Sequence, residues 1–88
     1  MRNKHSWRTK TADGVRRDMT ARRFGRHWTL RSRVKGEEGW TEHEEIALAD
    51  LKELREILFA KYQRKRVPWE YLTEIDALIA AGEEGQAE

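Results

Sequence analysis

The apolar residues of this chain change period along its length, from two to about 3.6, and that change limits what it can fold into. From Val15 to Arg23 the residues alternate. Val15, Met19 and Ala21 point one way, with Arg17 interrupting them, and Arg16, Asp18, Thr20 and Arg22 point the other. Successive side chains of a strand leave on opposite faces, so this pattern predicts a half-buried strand. Trp28 to Val34 alternates again, with Trp28, Leu30 and Val34 inward, Ser32 between them, and Thr29, Arg31 and Arg33 outward. Phe24-Gly25-Arg26-His27 reads as the turn between the two strands, because glycine adopts positive φ without a steric penalty. Lys35-Gly36-Glu37-Glu38-Gly39 is a second turn, and Trp40 is placed to close a short third pairing.

Beyond that point the period lengthens. Ala47, Leu51, Leu54, Leu58 and Tyr62 form one stripe, widened by Ile46, Leu48 and Ile57. Thr41-Glu42-His43-Glu44 fits a capping box, in which the Thr41 hydroxyl and the Glu44 carboxylate satisfy backbone donors reciprocally. Glu42, Glu44 and Glu45 suit the positive end of the helix dipole, and Lys61, Arg64, Lys65 and Arg66 suit the negative end. Pro68 stops this helix and suits the first turn of the next. Leu72, Ile75 and Ile79 line one face of that second helix, and Gly82 reads as its C-terminal cap.

These signals predict an α+β fold: a small two- or three-stranded antiparallel sheet followed by an antiparallel helical hairpin, in the order ββ(β)αα. Residues 1–13 read as a basic flexible arm, although Trp7 hints at an ordered contact or a short first strand before the Asp13-Gly14 turn. A single domain is expected over 14–81, with the hairpin at about 15–34 and helices at about 42–65 and 68–81. Residues 82–88 read as a disordered tail, and mobility is expected at 1–5 and 83–88. The expected core is Val15, Met19, Ala21, Trp28, Leu30, Trp40, Leu51, Leu54, Leu58, Leu72, Ile75 and Ile79.

A chain of 88 residues buries only a thin core. Cysteine is absent, and a small secreted domain usually needs disulfides, so a cytoplasmic home is expected. The basic N-terminus precedes no apolar stretch of the kind a secretory signal requires. No apolar run approaches the ~20 residues of a membrane span. His5, His27 and His43 are too scattered for a zinc site and read as incidental surface residues. Ser6 and Ser32 sit in no recognisable nucleophile motif, and no phosphate-cradling glycine loop occurs. The expectation is therefore a non-enzymatic binding module with no catalytic residue, no metal, no cofactor and no small-molecule ligand, a small enzyme being the remote alternative.

The formal charge of +2 hides a strong asymmetry. Residues 1–36 hold twelve Lys/Arg and two Asp, a charge of +10, and residues 37–88 hold six Lys/Arg and fourteen Asp/Glu, a charge of −8. Nine of the twelve N-terminal cations are arginine, whose planar fork grips phosphate or carboxylate in two places. Arg16, Arg22, Arg31 and Arg33 should share the outward face of the hairpin, with Arg26 at its turn. Such a two-stranded ribbon is able to enter a major groove or lie along an RNA backbone. Lys61, Arg64, Lys65 and Arg66 extend the patch if the helix end packs nearby. The expected partner is nucleic acid, DNA or RNA. A protein partner fits equally well, including a second copy whose acidic half meets this basic one. Arginines paired with the chain's own glutamates would give the same charge pattern with no binding role. Trp28, Trp40, Trp69, Phe24, Phe59, Tyr62 and Tyr71 fit core positions better than a base-stacking platform.

Overall fold

The computed structural model describes residues 4–86. Four strands, β1 (Lys4–Lys10), β2 (Arg16–Phe24), β3 (His27–Val34) and β4 (Thr41–His43), precede two helices, α1 (Leu48–Gln63) and α2 (Trp69–Gln86). The architecture is α+β. The sheet has four strands, one or two more than the alternation alone predicts. The contacts divide the chain into two compact units, the strands up to Glu45 and the helices from Ile46 onward.

Within the first unit the strands form an antiparallel meander in the order β1-β2-β3-β4. The β2–β3 connection is a two-residue loop, Gly25-Arg26, closed by the Phe24–His27 pair. Gly25 has φ +61°, the positive value that a type II′ hairpin demands at its first central position. The register places Met19 opposite Ser32 and Ala21 opposite both Leu30 and His5. Met19, Ala21, Trp28 and Leu30 are buried on that one face, as their spacing predicts. His5 joins them at 2% exposed, its ring 5.9 Å from that of Trp28.

Several expectations for this unit are overturned. Lys4 to Lys10 is a strand and not a flexible arm, so Lys4 and His5 are ordered. The rest of that N-terminal expectation, residues 1–3, lies outside the described residues. Val15 and Trp40 are not core: Val15 is 39% exposed beside its turn, and Trp40 is 46% exposed. Thr41, Glu42 and His43 form β4 rather than a helix cap. Their backbones pair with Ser32, Arg31 and Leu30, satisfying polar groups that would otherwise form an open sheet edge.

The second unit begins with α1 at Leu48, six residues after the expected start at 42, behind an extended Ala47 that makes no side-chain cap. Leu51, Leu54 and Leu58 are buried along α1, as are Tyr71, Leu72, Ile75 and Ile79 along α2. Three contacts fix the helices as antiparallel. Gly82 lies against Leu48, Asp76 pairs with Arg55, and Trp69 packs on Tyr62 with ring centroids 5.0 Å apart. The connection is a Schellman turn: Arg66 N–H donates to the Lys61 carbonyl and Lys65 N–H to that of Tyr62. Lys65 takes the left-handed position, φ +60°, that glycine usually fills.

Gly82 does not end α2, which continues through Gln86 across most of the expected disordered tail. A Cβ on Gly82 would lie 3.3 Å from Leu48 Cδ1, so the glycine admits the start of α1. Close packing and the helix-forming Glu83 and Glu84 outweigh its cost of about 1 kcal/mol in a helix. Residues 87–88 of that expected tail lie outside the described residues.

Candidate nucleic-acid interface

The outward face of the sheet follows from parity. Cross-strand partners set Lys4 opposite Arg22, Ser6 opposite Thr20, Arg8 opposite Asp18 and Lys10 opposite Arg16. On the other side of β2, Asp18 faces Arg33 and Thr20 faces Arg31, and Arg31 in turn faces Glu42 of β4. All four arginines expected there, Arg16, Arg22, Arg31 and Arg33, share the face. Lys4, Arg8 and Lys10 join them from β1, which a reading of residues 1–13 as an arm could not place. Among the described, paired strand residues the face thus carries these seven cations against two carboxylates, Asp18 and Glu42.

Asp18 is the local counter-charge. Its Oδ1 lies 3.3 Å from Arg8 Nε and 3.7 Å from Arg16 Nε, and its Oδ2 lies 3.9 Å from an Arg33 guanidinium nitrogen. One carboxylate shared by three guanidinium groups leaves the cluster net positive. Such partly exposed pairs contribute only about 0–1 kcal/mol each, so an incoming anion competes with Asp18 at little cost. Lys4, Arg22 and Arg31 make no ion pair with a carboxylate among the described residues.

Trp40 lies on this face. It lines a cleft of about 140 Å³ together with Lys4, Thr20, Arg22 and Arg31. Thr20 is the short side chain among these, its hydroxyl oxygen 3.1 Å from that of Ser6. The Arg33 guanidinium sits 5.4 Å from the centre of the indole ring, within cation–π range. Sequence reasoning put Trp40 in the core because it continues the alternation of β3. Five turn residues intervene, however, and alternation does not carry across a turn.

Arg26 is exposed at the tip of the β2–β3 turn. Lys61, Arg64, Lys65 and Arg66 belong to the helical unit, around the end of α1. Arg17 and Arg23 lie on the opposite face of the sheet by parity.

That opposite face holds a polar chain that the sequence does not announce. An Arg17 guanidinium nitrogen donates to Ser32 Oγ at 3.3 Å, and Ser32 Oγ lies 2.7 Å from His43 Nε2. When His43 carries its proton on Nδ1, the Ser32 hydroxyl donates to Nε2. The bond joins β3 to β4 through side chains as well as backbone. His5 and His43 are therefore not incidental surface residues: one is buried and the other is bonded to Ser32, while His27 is exposed. Among the described residues no group of three His, Cys, Asp or Glu could hold a metal ion. Nor is any helix there long and apolar enough to cross a membrane.

Of the aromatics expected in the core, Trp28 and Tyr71 are buried. Phe24, Phe59, Tyr62 and Trp69 are exposed, as Trp40 is. Comparison with protein families, with curated proteins and with solved structures finds no match for the chain.

Proposed function

We propose that the outward face of the sheet binds nucleic-acid phosphates and that the protein is a small non-enzymatic binding module. The observation that carries this reading is the set of three cations, Lys4, Arg22 and Arg31, that surround one cleft without a carboxylate partner among the described residues. Arginines that served only to neutralise the chain's own glutamates would be paired. Those around Asp18 are paired in part, and these three are not. The cysteine-free composition supports a cytoplasmic setting for such a module.

The test is binding of labelled mixed-sequence oligonucleotides at 50 mM salt, followed by anisotropy. The wild type should bind more tightly than about 100 μM, the weak end of ordinary non-specific association. Arg22→Ala/Arg31→Ala should weaken binding to every sequence about equally, because phosphate contacts position without specifying. Unchanged affinity in that variant, or no binding by the wild type, removes the reading.

A protein partner is the second reading, and it rests on different residues. Phe59, Tyr62 and Trp69 expose aromatic surface on the helical unit, of a kind enriched at protein interfaces. Self-association through the basic and acidic halves would appear as salt-sensitive dimers in light scattering.

A further inference from the structure

The phosphate-binding reading leaves open which form of nucleic acid the face accepts, and the inference here rests on that reading. Two features bear on it. The first is width. The β2–β3 hairpin is not a free ribbon, because β1 pairs with the outer edge of β2 and β4 with the outer edge of β3. Three interstrand spacings make the backbone alone roughly 14 Å across. The B-form major groove is about 12 Å wide and admits a two-stranded ribbon. A four-stranded face cannot enter it broadside.

The second feature is the position of Trp40. The cleft residues Lys4 and Arg22 form one cation row, and Arg8 and Arg33 flank Asp18 in another. The rows lie four residues apart along β2, roughly 13 Å at the rise of a strand. Between them is the Ser6–Thr20 row, and Trp40 stands beside it, half-exposed, with Arg33 against its ring. An exposed indole on a cationic face contributes little to a duplex, whose bases are stacked on one another. In a single strand the bases are free, and stacking on an aromatic ring contributes several-fold to affinity per base.

We infer that the sheet face is a single-strand binding surface. One unpaired base stacks on Trp40, and backbone phosphates 5′ and 3′ of that nucleotide meet the Lys4/Arg22 row and the Arg8/Arg33 row, with Arg31 level with Thr20 between them. Because stacking tolerates every base, the surface selects strandedness rather than sequence.

The experiment compares three ligands of equal length at 50 mM salt: a mixed-sequence single strand, its duplex, and an abasic deoxyribose-phosphate strand. Wild type should bind the single strand at least tenfold more tightly than the abasic strand, and more tightly than the duplex. Trp40→Ala should weaken single-strand binding by about 5- to 150-fold, the range measured for loss of one stacked base. It should leave the abasic strand within twofold, and Trp40→Phe should recover most of the loss. Circular dichroism verifies that the variants fold. If Trp40→Ala does not, the wild-type comparison of single and abasic strands decides alone. Equal affinity for single strand and duplex, or for single strand and abasic strand, overturns the inference while phosphate binding stands. Loss of all binding by wild type, or indifference of all three ligands to Arg22→Ala/Arg31→Ala, is the separate signature that phosphate binding itself is wrong.

Discussion

The two faces of the sheet are made by neighbouring residues of the same strands, yet they answer to different constraints. On β2, Met19 and Ala21 are buried, and the intervening Thr20 shares its face with Arg22 and Asp18. The buried face must exclude water, and although His5 Nε2 and Trp7 Nε1 are buried without a hydrogen bond, most polar groups there need a partner. That explains why Ser32, His43 and Arg17 are bonded to one another there. The outward face has no such obligation. It retains cations without carboxylate partners, a half-exposed indole and one overcommitted aspartate. Folding therefore accounts for the composition of one face, and the other face contains charge that folding does not use. Charge that folding does not use, beside an exposed aromatic ring, is what supports the proposal that this face binds a ligand.

Substitutions on the two faces should separate stability from binding. The largest effect on folding is expected at Leu30, 1% exposed and opposite Ala21. Leu30→Ala should lower the unfolding free energy by about 2–5 kcal/mol, read by urea denaturation. A change under about 0.5 kcal/mol would mean that this face is not a packed one.

Ser32→Ala on the same face is expected to cost less. It withdraws the oxygen that Arg17 and His43 share, a loss of about 1–3 kcal/mol where buried polar groups lose a partner. A neutral result in the same denaturation assay would show that the Ser32–His43 bond does not hold β4 in place.

The outward face should behave in the opposite way. Asp18→Asn removes the shared counter-charge of Arg8, Arg16 and Arg33. Stability should move by less than about 1 kcal/mol, as is usual for partly exposed ion pairs. Oligonucleotide affinity should rise about fivefold, the effect of ~1 kcal/mol from one charge at contact distance in water. A fall in affinity would mean that Asp18 organises the arginines and does not compete with the ligand.

The sequence shows β2, β3 and both helices because their apolar residues repeat at the period of the structure. It also places Arg16, Arg22, Arg31 and Arg33 together, because parity along a single strand needs no tertiary knowledge. What it hides has physical causes. β1 alternates His5, Trp7 and Thr9 with Lys4, Ser6, Arg8 and Lys10, too polar a pattern to read as a strand. It is recognisable only by the partner it pairs with. Thr41 to Glu44 satisfies a capping box as well as a strand, and the open edge of β3, remote in sequence, decides between them. Gly82 looks like a cap until Leu48 is seen beside it. The Trp40 cleft combines the unread strand β1 with a tryptophan whose direction is reset by the Lys35-to-Gly39 turn, so the most informative part of the site is the least legible.

The central claim, that the outward face binds by neutralising phosphates, is tested most directly by a salt titration. Affinity for a mixed-sequence single strand would be measured from 50 to 300 mM salt. If about four to six phosphates are neutralised, log affinity should fall against log salt with a slope of about −3 to −4. In Arg22→Ala/Arg31→Ala the slope should become shallower by about one to one and a half, because two phosphate contacts are lost. A slope near zero, or the same slope in wild type and the double variant, would contradict the claim.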